Sequence, residues 1–166
     1  MRAAWYERGG PASEVLTVGE MEDPRPRAGE VLVRVRASGV NPGEVKKRAD
    51  WMGFGIGYPR VIPHSDGAGT IEEVGEGVSP SRIGERVWVW GAQSGRPFGT
   101  AAQYVALPSE QAIPLPEGVS FEVGACLEAG ALHPRIALRL PLERIAEAHE
   151  AVEGGRSGGR VILDID

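Results

Sequence analysis

The 166-residue sequence contains few side chains that could perform chemistry by themselves. It has no Gly-x-Ser-x-Gly elbow for an activated serine and no pair of carboxylates at a catalytic spacing. Its one cysteine, Cys126, has no neighbouring histidine or cationic pattern that would activate the thiol, so we interpret it as structural. A single cysteine also excludes an internal disulfide and a cysteine-based zinc cluster. The chain therefore offers little for chemistry of its own.

Two features could instead form a binding site. The side-chain amide of Asn41 can both donate and accept hydrogen bonds, although an Asn-Pro pair is also an ordinary way to start a turn. A glycine-rich loop follows, and its aromatic rings could stack on a flat ligand or pack beneath the loop. These aromatic residues are Trp51, Phe54 and Tyr58. The residues alone leave both alternatives open.

The composition sets limits on the partners of the chain. Hydrophobic residues make up 42% and charged residues 25% of the sequence, as in a globular protein of one domain. The net charge of −5 and the lack of a basic patch argue against nucleic acid and anionic membranes as partners. No apolar run approaches the length of a membrane span, and the first residues lack a signal-peptide core, so we expect a cytoplasmic protein.

Short strands dominate the first two thirds of the chain. The clearest is 30–37, where valines alternate with charged residues. Further strands are predicted at 2–7, 15–20, 67–74, 86–90, 100–106, 112–115 and 160–165. A short helix is predicted at 42–50, and a longer one after Pro141 with His149 on its inward face. The pattern indicates a mainly β, α+β domain.

Three segments, considered together, carry a resemblance. They are Ala-Ser-Gly-Val-Asn-Pro-Gly-Glu at 37–44, Pro-Arg-Val-Ile-Pro-His-Ser-Asp-Gly-Ala-Gly at 59–69, and Gly-Thr-Ala-Ala-Gln-Tyr-Val at 99–105. Their order and spacing resemble the zinc-independent quinone oxidoreductases related to zeta-crystallin, in the medium-chain dehydrogenase/reductase superfamily. The resemblance implies a GroES-like, partly open β-barrel with a C-terminal helix and a closing strand.

The resemblance also predicts how the domain is organised. Residues 1–126 are similar to the N-terminal part of the GroES-like catalytic domain, and 127–166 to the segment that packs back onto it. The family places a Rossmann domain of roughly 100–150 residues between them. Here the tail begins directly after Cys126, and no Gly-x-Gly-x-x-Gly fingerprint is present. We therefore expect the dinucleotide-binding domain to be missing.

The resemblance assigns roles to a small set of residues. Asn41 is similar to an asparagine that lines the nicotinamide and substrate cleft, so it is a candidate catalytic and cofactor contact. Ser65 and Asp66 align with the histidine ligand and outer acid of zinc relatives, which makes Ser65 a second catalytic candidate and argues against a metal. His64 falls one residue early and is expected in the loop or at the pocket edge. Substrate contacts are predicted for Glu44, Trp51, Tyr58, His64, Asp66 and Gln93.

Alternatives remain for individual residues and for the function. Glu44 could line the cleft or lie on a solvated helix face. Trp88 and Trp90 alternate along a strand and are expected in the core. The parent enzymes would transfer hydride from NADPH to a quinone or enone carbonyl, but this chain is expected to bind NADPH weakly and to be inactive alone. The rival hypothesis is an interaction module that self-associates through an exposed interdomain face, with a monomer as the default.

Overall fold

The computed structural model describes residues 1–126, 134–155 and 157–166. The predicted junction at 127–132, and His133 in the resemblance to the closing segment, lie outside the described residues. Within the described ranges, strands outnumber helices and one large sheet forms the centre of the fold. The described part of the chain has no helix with the length and apolar character that crossing a membrane requires.

A two-stranded hairpin and a seven-stranded sheet make up the β structure of the described residues. The hairpin consists of β1 (Arg2–Trp5) and β2 (Thr17–Glu20), as predicted from the first twenty residues. The strands of the large sheet are β3 (Glu30–Val40), β4 (Asp66–Val74), β5 (Arg86–Val89), β6 (Tyr104–Pro108), β7 (Ala112–Pro114), β8 (Ile136–Pro141) and β9 (Arg160–Asp164). Their order in the sheet is β7-β5-β4-β3-β9-β8, with β6 also paired to β3. Among the described residues, this sheet does not close into a barrel.

The central strand β3 changes its neighbour half way along. Its first half pairs with β6 between Glu30 and Arg34, and its second half pairs with β9 between Ala37 and Val40. The opposite edge pairs with β4, with a register irregularity between Val35 and Ala37. The valines of the predicted alternation are buried, and β3 extends three residues beyond the predicted end. This extension forms because β9, from the end of the chain, supplies a partner.

Four α-helices accompany the sheet in the part of the chain that the structure describes. They are α1 (Ala12–Val15), α2 (Pro42–Arg48), α3 (Phe121–Gly124) and α4 (Ile145–Glu153). A 3-10 turn, Leu142–Arg144, precedes α4, which buries Ile145, Ala148 and His149 against the rest of the domain. The short helices α1 and α3, and the edge strand β8, were not predicted. Their segments are too short for a helical or alternating pattern to be recognised.

The tryptophan prediction needs one correction. Trp88 is half-buried within β5, but Trp90 is 39% exposed. The buried face of β5 is formed by Val87 and Val89, so Trp88 lies on the opposite face and Trp90 follows the end of the strand. Cys126 is buried beside α3, and burial raises the pKa of its thiol, as expected for an inert structural cysteine.

Candidate functional site

A cavity of about 560 Å³, which we call the Asn41 cavity, opens where three strands of the large sheet meet. It contains five of the predicted site residues, namely Asn41, Glu44, Ser65, Asp66 and Gln93, together with Lys47, Gly91, Ser94 and Arg160. The sheet topology explains why they meet. Asn41 follows the end of β3, Asp66 begins the antiparallel strand β4, and Gly39 pairs directly with Asp66.

The side-chain amide of Asn41 lies between two charged groups. Its Nδ2 donates to Asp66 Oδ2 at 2.5 Å, and its Oδ1 accepts from Arg160 Nη1 at 2.8 Å. Arg160 is the first residue of β9, which pairs with the end of β3. Each of the three residues therefore belongs to or directly follows a different strand. Both hydrogen bonds involve a charged partner, the stronger class of hydrogen bond in proteins.

Glu44 connects the start of α2 to the loop that carries Ser65. Its carboxylate accepts from the backbone N–H of Asn41 at 2.9 Å and from that of Ser65 at 3.3 Å. The side chain is buried, so the alternative of a solvated helix face is wrong. Burial raises the pKa of the Glu44 carboxyl, while the backbone N–H bonds oppose that rise. Glu44 thus holds the Asn41 and Ser65 backbones in one arrangement.

Ser65 and Gln93 come from two loops that contact each other. The Ser65 carbonyl accepts from the backbone N–H of Ala92 at 2.8 Å, and Gln93 Nε2 donates to the Ile62 carbonyl at 3.0 Å. Ser65 is partly exposed at the cavity wall. These backbone links hold both side chains at the same opening as Asn41.

The structure corrects the expectation for His64. Its side chain is completely buried rather than at the pocket edge, so it cannot contact a substrate in this arrangement. Nδ1 lies 2.8 Å from Ser38 Oγ, and Nε2 lies 3.0 Å from Nε2 of His149. The backbone of His64 has φ +76°, the left-handed region that non-glycine residues rarely adopt, and this turns the ring inward.

Arg48, at the end of α2, is also buried and contacts the second histidine. Its Nε donates to His149 Nδ1 at 3.3 Å, and its guanidinium also bonds to the Gly10 carbonyl and the Glu153 carboxylate. A guanidinium has no acceptor, so His149 Nδ1 must accept and its Nε2 must carry the proton that is donated to His64. Burial lowers the pKa of His64 to about 3 and that of His149 to about 2.

The same hydrogen-bond chain continues toward the Asn41 cavity. Ser38 Oγ lies 2.8 Å from Thr100 Oγ1, and Thr100 Oγ1 donates to the Asp66 carbonyl at 2.6 Å. With His64 Nδ1–H as donor, every bond from Arg48 to Asp66 has one consistent direction. This buried polar chain therefore connects helices α2 and α4 to the backbone of a residue that lines the cavity.

Two predicted aromatic residues line a neighbouring cavity of about 330 Å³, which we call the aromatic cavity. Trp51 and Tyr58 belong to it, and Lys47 and Gln93 line both cavities. Trp51 is 71% and Phe54 83% exposed, so these two rings do not pack beneath the loop. The ammonium of Lys46 lies 5.3 Å from the Trp51 ring centroid, within cation–π distance.

The donor set at the Asn41 cavity does not fit a metal ion. In the described ranges, no group of three or more His, Cys, Asp or Glu side chains is arranged to hold one. The Asn41 amide bonds to a guanidinium and a carboxylate. Zinc needs three converging protein ligands, which these residues do not provide.

The described residues also lack a pyrophosphate site for a dinucleotide. Such a site requires a glycine-rich turn after a strand and the N-terminus of a helix. Helix α2 is the one that follows a strand of the large sheet most closely, but Asn41-Pro42 precedes it and the acidic Glu44 lies in its first turn. This first turn therefore lacks the glycine-rich approach that a pyrophosphate group requires, and its carboxylate would repel one.

Arg160 was not predicted from the sequence as a residue of this site. It lies 119 positions from Asn41 and reaches the cavity only because β9 pairs with β3. Ser38 and Thr100 were missed for the same reason, since their partners are 26 and 62 positions apart. One feature of the sequence could have indicated Arg160: it is an arginine at the start of an apolar strand, in the C-terminal part of the chain that resembles the closing segment of the family.

Comparison with known proteins places the chain in a family. Residues 27–117 match the model of the alcohol dehydrogenase GroES-like domain. The quinone oxidoreductase of Rattus norvegicus is 37% identical over 123 residues, which cover 74% of this chain and 35% of that protein. A trans-enoyl reductase of Aspergillus terreus is 36% identical over 124 residues, which cover 70% of this chain and 39% of that protein. The chain thus spans little more than a third of these curated relatives.

Solved structures show the same fold. A NAD-dependent alcohol dehydrogenase chain superimposes with a TM-score of 0.81 at 16% identity, with all of both chains covered. The Escherichia coli quinone oxidoreductase complexed with NADPH gives a TM-score of 0.67 at 20% identity, covering 85% of this chain and 44% of that one. The chain therefore belongs to the alcohol dehydrogenase GroES-like domain family, and the proteins it is similar to include quinone oxidoreductases.

Proposed function

We propose that the Asn41 cavity is the substrate side of an NADPH-dependent oxidoreductase that reduces a quinone or an enone carbonyl. The observation that carries the proposal is the meeting of five predicted site residues at one opening next to the aromatic cavity. The quinone oxidoreductase and trans-enoyl reductase relatives support the two substrate classes.

Each polar residue of the cavity has a proposed role. The Asn41 amide donates to the substrate carbonyl oxygen, where negative charge develops during reduction. The Ser65 hydroxyl offers a second hydrogen-bond donor at the same wall. The Glu44 carboxylate holds the backbones of Asn41 and Ser65 in position. The aromatic cavity receives the flat or apolar remainder of the substrate against Trp51 and Tyr58. When bound, NADPH supplies the hydride.

We propose that the chain is a single GroES-like domain made of 1–126 and 127–166, without a Rossmann domain. The pairing of β9 with the second half of β3 supports this organisation, because the C-terminal strand completes the central sheet. The lack of a pyrophosphate site within residues 1–126, 134–155 and 157–166 supports weak binding of NADPH. The isolated chain is then expected to show negligible turnover, since orientation without a bound hydride donor does not reduce a carbonyl.

Substrate binding can be tested without turnover. We would titrate the ¹⁵N-labelled chain with duroquinone, a quinone with no free ring position for side-chain addition, and follow amide and side-chain NMR signals. We expect shifts at Asn41, Ser65 and Gln93 and a roughly ten-fold weaker affinity for Asn41→Ala, with unchanged affinity for the exposed control Ser81→Ala. Shifts confined to other surfaces, or equal affinity for the two variants, would refute the proposed site.

A second candidate function is self-association, and the exposed loop residues favour it. Trp51, Met52 and Phe54 are 71%, 65% and 83% exposed in one short segment, an apolar patch of the kind that marks interaction surfaces. If this function is correct, sedimentation velocity will show a mass that rises with concentration and falls in a Trp51→Ser/Phe54→Ser variant. A monomer at all concentrations would reject it.

A further inference from the structure

We infer that Arg160 is a positioning residue that fixes the Asn41 amide with an N–H available to the cavity, so that the site selects a ligand group that accepts a hydrogen bond. The inference rests on the proposed function, because it assumes that Asn41 faces the substrate.

The two charged partners of Asn41 define one orientation of its amide. The Arg160 guanidinium can only donate, so it must face Oδ1, and the Asp66 carboxylate oxygen accepts, so it faces Nδ2. A rotation of the amide by half a turn would place Oδ1 against the carboxylate and Nδ2 against the guanidinium. Both contacts would then be repulsive. The amide is therefore held in a single state by two bonds that must both break before it turns.

This orientation determines what the cavity offers to a ligand. The amide nitrogen carries two hydrogens, and one is used by Asp66. The other has no partner among the residues that the structure describes, and Asn41 lines the cavity wall. The positive charge at Oδ1 also draws electron density from the amide nitrogen, which strengthens the remaining N–H as a donor. A quinone or enone oxygen satisfies this donor, whereas an ammonium group does not.

Arg160 is not needed to hold β9 in place. The backbone of the neighbouring residue Val161 already pairs with Val40, and the pairing continues to Asp164 opposite Ala37. The Arg160 side chain is partly exposed, so its removal leaves no buried cavity. Its bond to Asn41 can therefore be removed with the strand pairing kept.

We call the two hydrogen bonds that hold the Asn41 amide, from Arg160 and to Asp66, the clamp. The clamp predicts a change that NMR can measure directly. Exchange between the two side-chain N–H protons of Asn41 requires rotation about the Cγ–Nδ2 bond, and the Arg160 cation at Oδ1 increases the double-bond character of that bond. We expect this exchange to be about ten-fold faster in Arg160→Met than in the wild-type chain, because loss of the cation at Oδ1 lowers the barrier to this rotation. Arg160→Lys should recover part of the difference, since its ammonium can still donate to Oδ1. An exchange rate in Arg160→Met within two-fold of wild type would overturn the inference.

Matched variants separate the clamp from general structural effects. Arg139→Met removes an arginine of the adjacent strand β8 that pairs with Asp164 and Glu122 outside the cavity, so it should leave the Asn41 exchange rate unchanged. Should Arg160→Met fail to fold, Asp66→Asn tests the other side of the clamp and is expected to accelerate the same exchange. Faster exchange in Arg139→Met of equal size would contradict a specific role for Arg160.

Duroquinone distinguishes this inference from the proposed function. We expect its affinity to fall about ten-fold in Arg160→Met and to stay unchanged in Arg139→Met. If Asn41 exchange responds as described but duroquinone does not shift the Asn41 signals of the wild-type chain, the clamp is supported and the proposed function fails. If duroquinone binds Asn41 equally well in wild type and Arg160→Met, the selection role of Arg160 is refuted while the proposed function stands.

Discussion

The rings of His64 and His149 stack at a centroid distance of 5.2 Å and share a proton between their Nε2 atoms, 3.0 Å apart, inside the protein. One ring precedes β4 and the other belongs to α4, so the contact joins the first part of the chain to the C-terminal segment. The charged groups around them are Arg48 of α2 with Glu150 and Glu153 of α4. Their pairing has consequences for stability and for the cavity.

The first prediction concerns stability at acid pH. Burial lowers the pKa of His64 to about 3 and of His149 to about 2, below the ordinary value of 6.5. As pH falls below about 6.5, the unfolded chain binds protons that the folded chain does not, so the free energy of unfolding must decrease. Two such groups give a slope of at most about 3 kcal/mol per pH unit. Urea unfolding at several pH values between 7.5 and 5 measures it.

The Glu44 carboxyl acts in the opposite sense. The pKa of Glu44 is raised in the folded chain, so the folded state gains a proton first there and is stabilised as pH falls. The two histidines should outweigh this single carboxyl. Replacement of one of them, in His149→Gln, is expected to reduce the slope by about half. A free energy of unfolding that stays constant from pH 7 to pH 5 would contradict the assigned role of the histidine pair.

The second prediction fixes the proton positions on the two rings. Because Arg48 only donates, we expect His149 to carry its proton on Nε2 and His64 to carry its proton on Nδ1. Ring ¹⁵N chemical shifts at pH 7 distinguish the two neutral forms of each histidine. The opposite form at either ring would show that the buried chain does not run from Arg48 toward Asp66.

The third prediction concerns Thr100, at the end of the buried polar chain that lies near the Asn41 cavity. Thr100→Val keeps the shape of the side chain but leaves Ser38 and the Asp66 carbonyl without their buried partner. The expected loss of stability is about 1–3 kcal/mol, measured by urea unfolding. Thr17→Val, at an exposed position of β2, is the matched control and should change stability by less than about 0.5 kcal/mol. Equal losses of stability in both variants would contradict a stabilising role for the buried polar chain.

Local patterns explain which parts of this structure were predictable. The alternation at 30–37 predicted the central strand because the valines at alternate positions there have side chains that are buried in the core. The edge strand β8 escaped prediction because it is short, only partly buried and paired in parallel with β9. No periodicity in a short window reveals a strand whose partner lies more than twenty residues away.

The same distinction applies to the site. Asn41, Ser65 and Asp66 were identified through segments that resemble a family, and the structure brings them to one cavity. The burial of His64 and the contact of Arg160 depend on partners 85 and 119 positions away. Such contacts follow from the pairing of β3 with β9 and the packing of α4, which no local segment encodes.

We propose that this chain orients a carbonyl substrate but does not bind the hydride donor tightly. Calorimetric titration of the purified chain with NADPH, with a quinone-reduction assay on the same sample, tests it most directly. We predict no measurable heat of binding and no turnover above background. Micromolar binding with turnover would contradict the account, because the chain would then hold a dinucleotide at residues that the fold and the sequence do not identify.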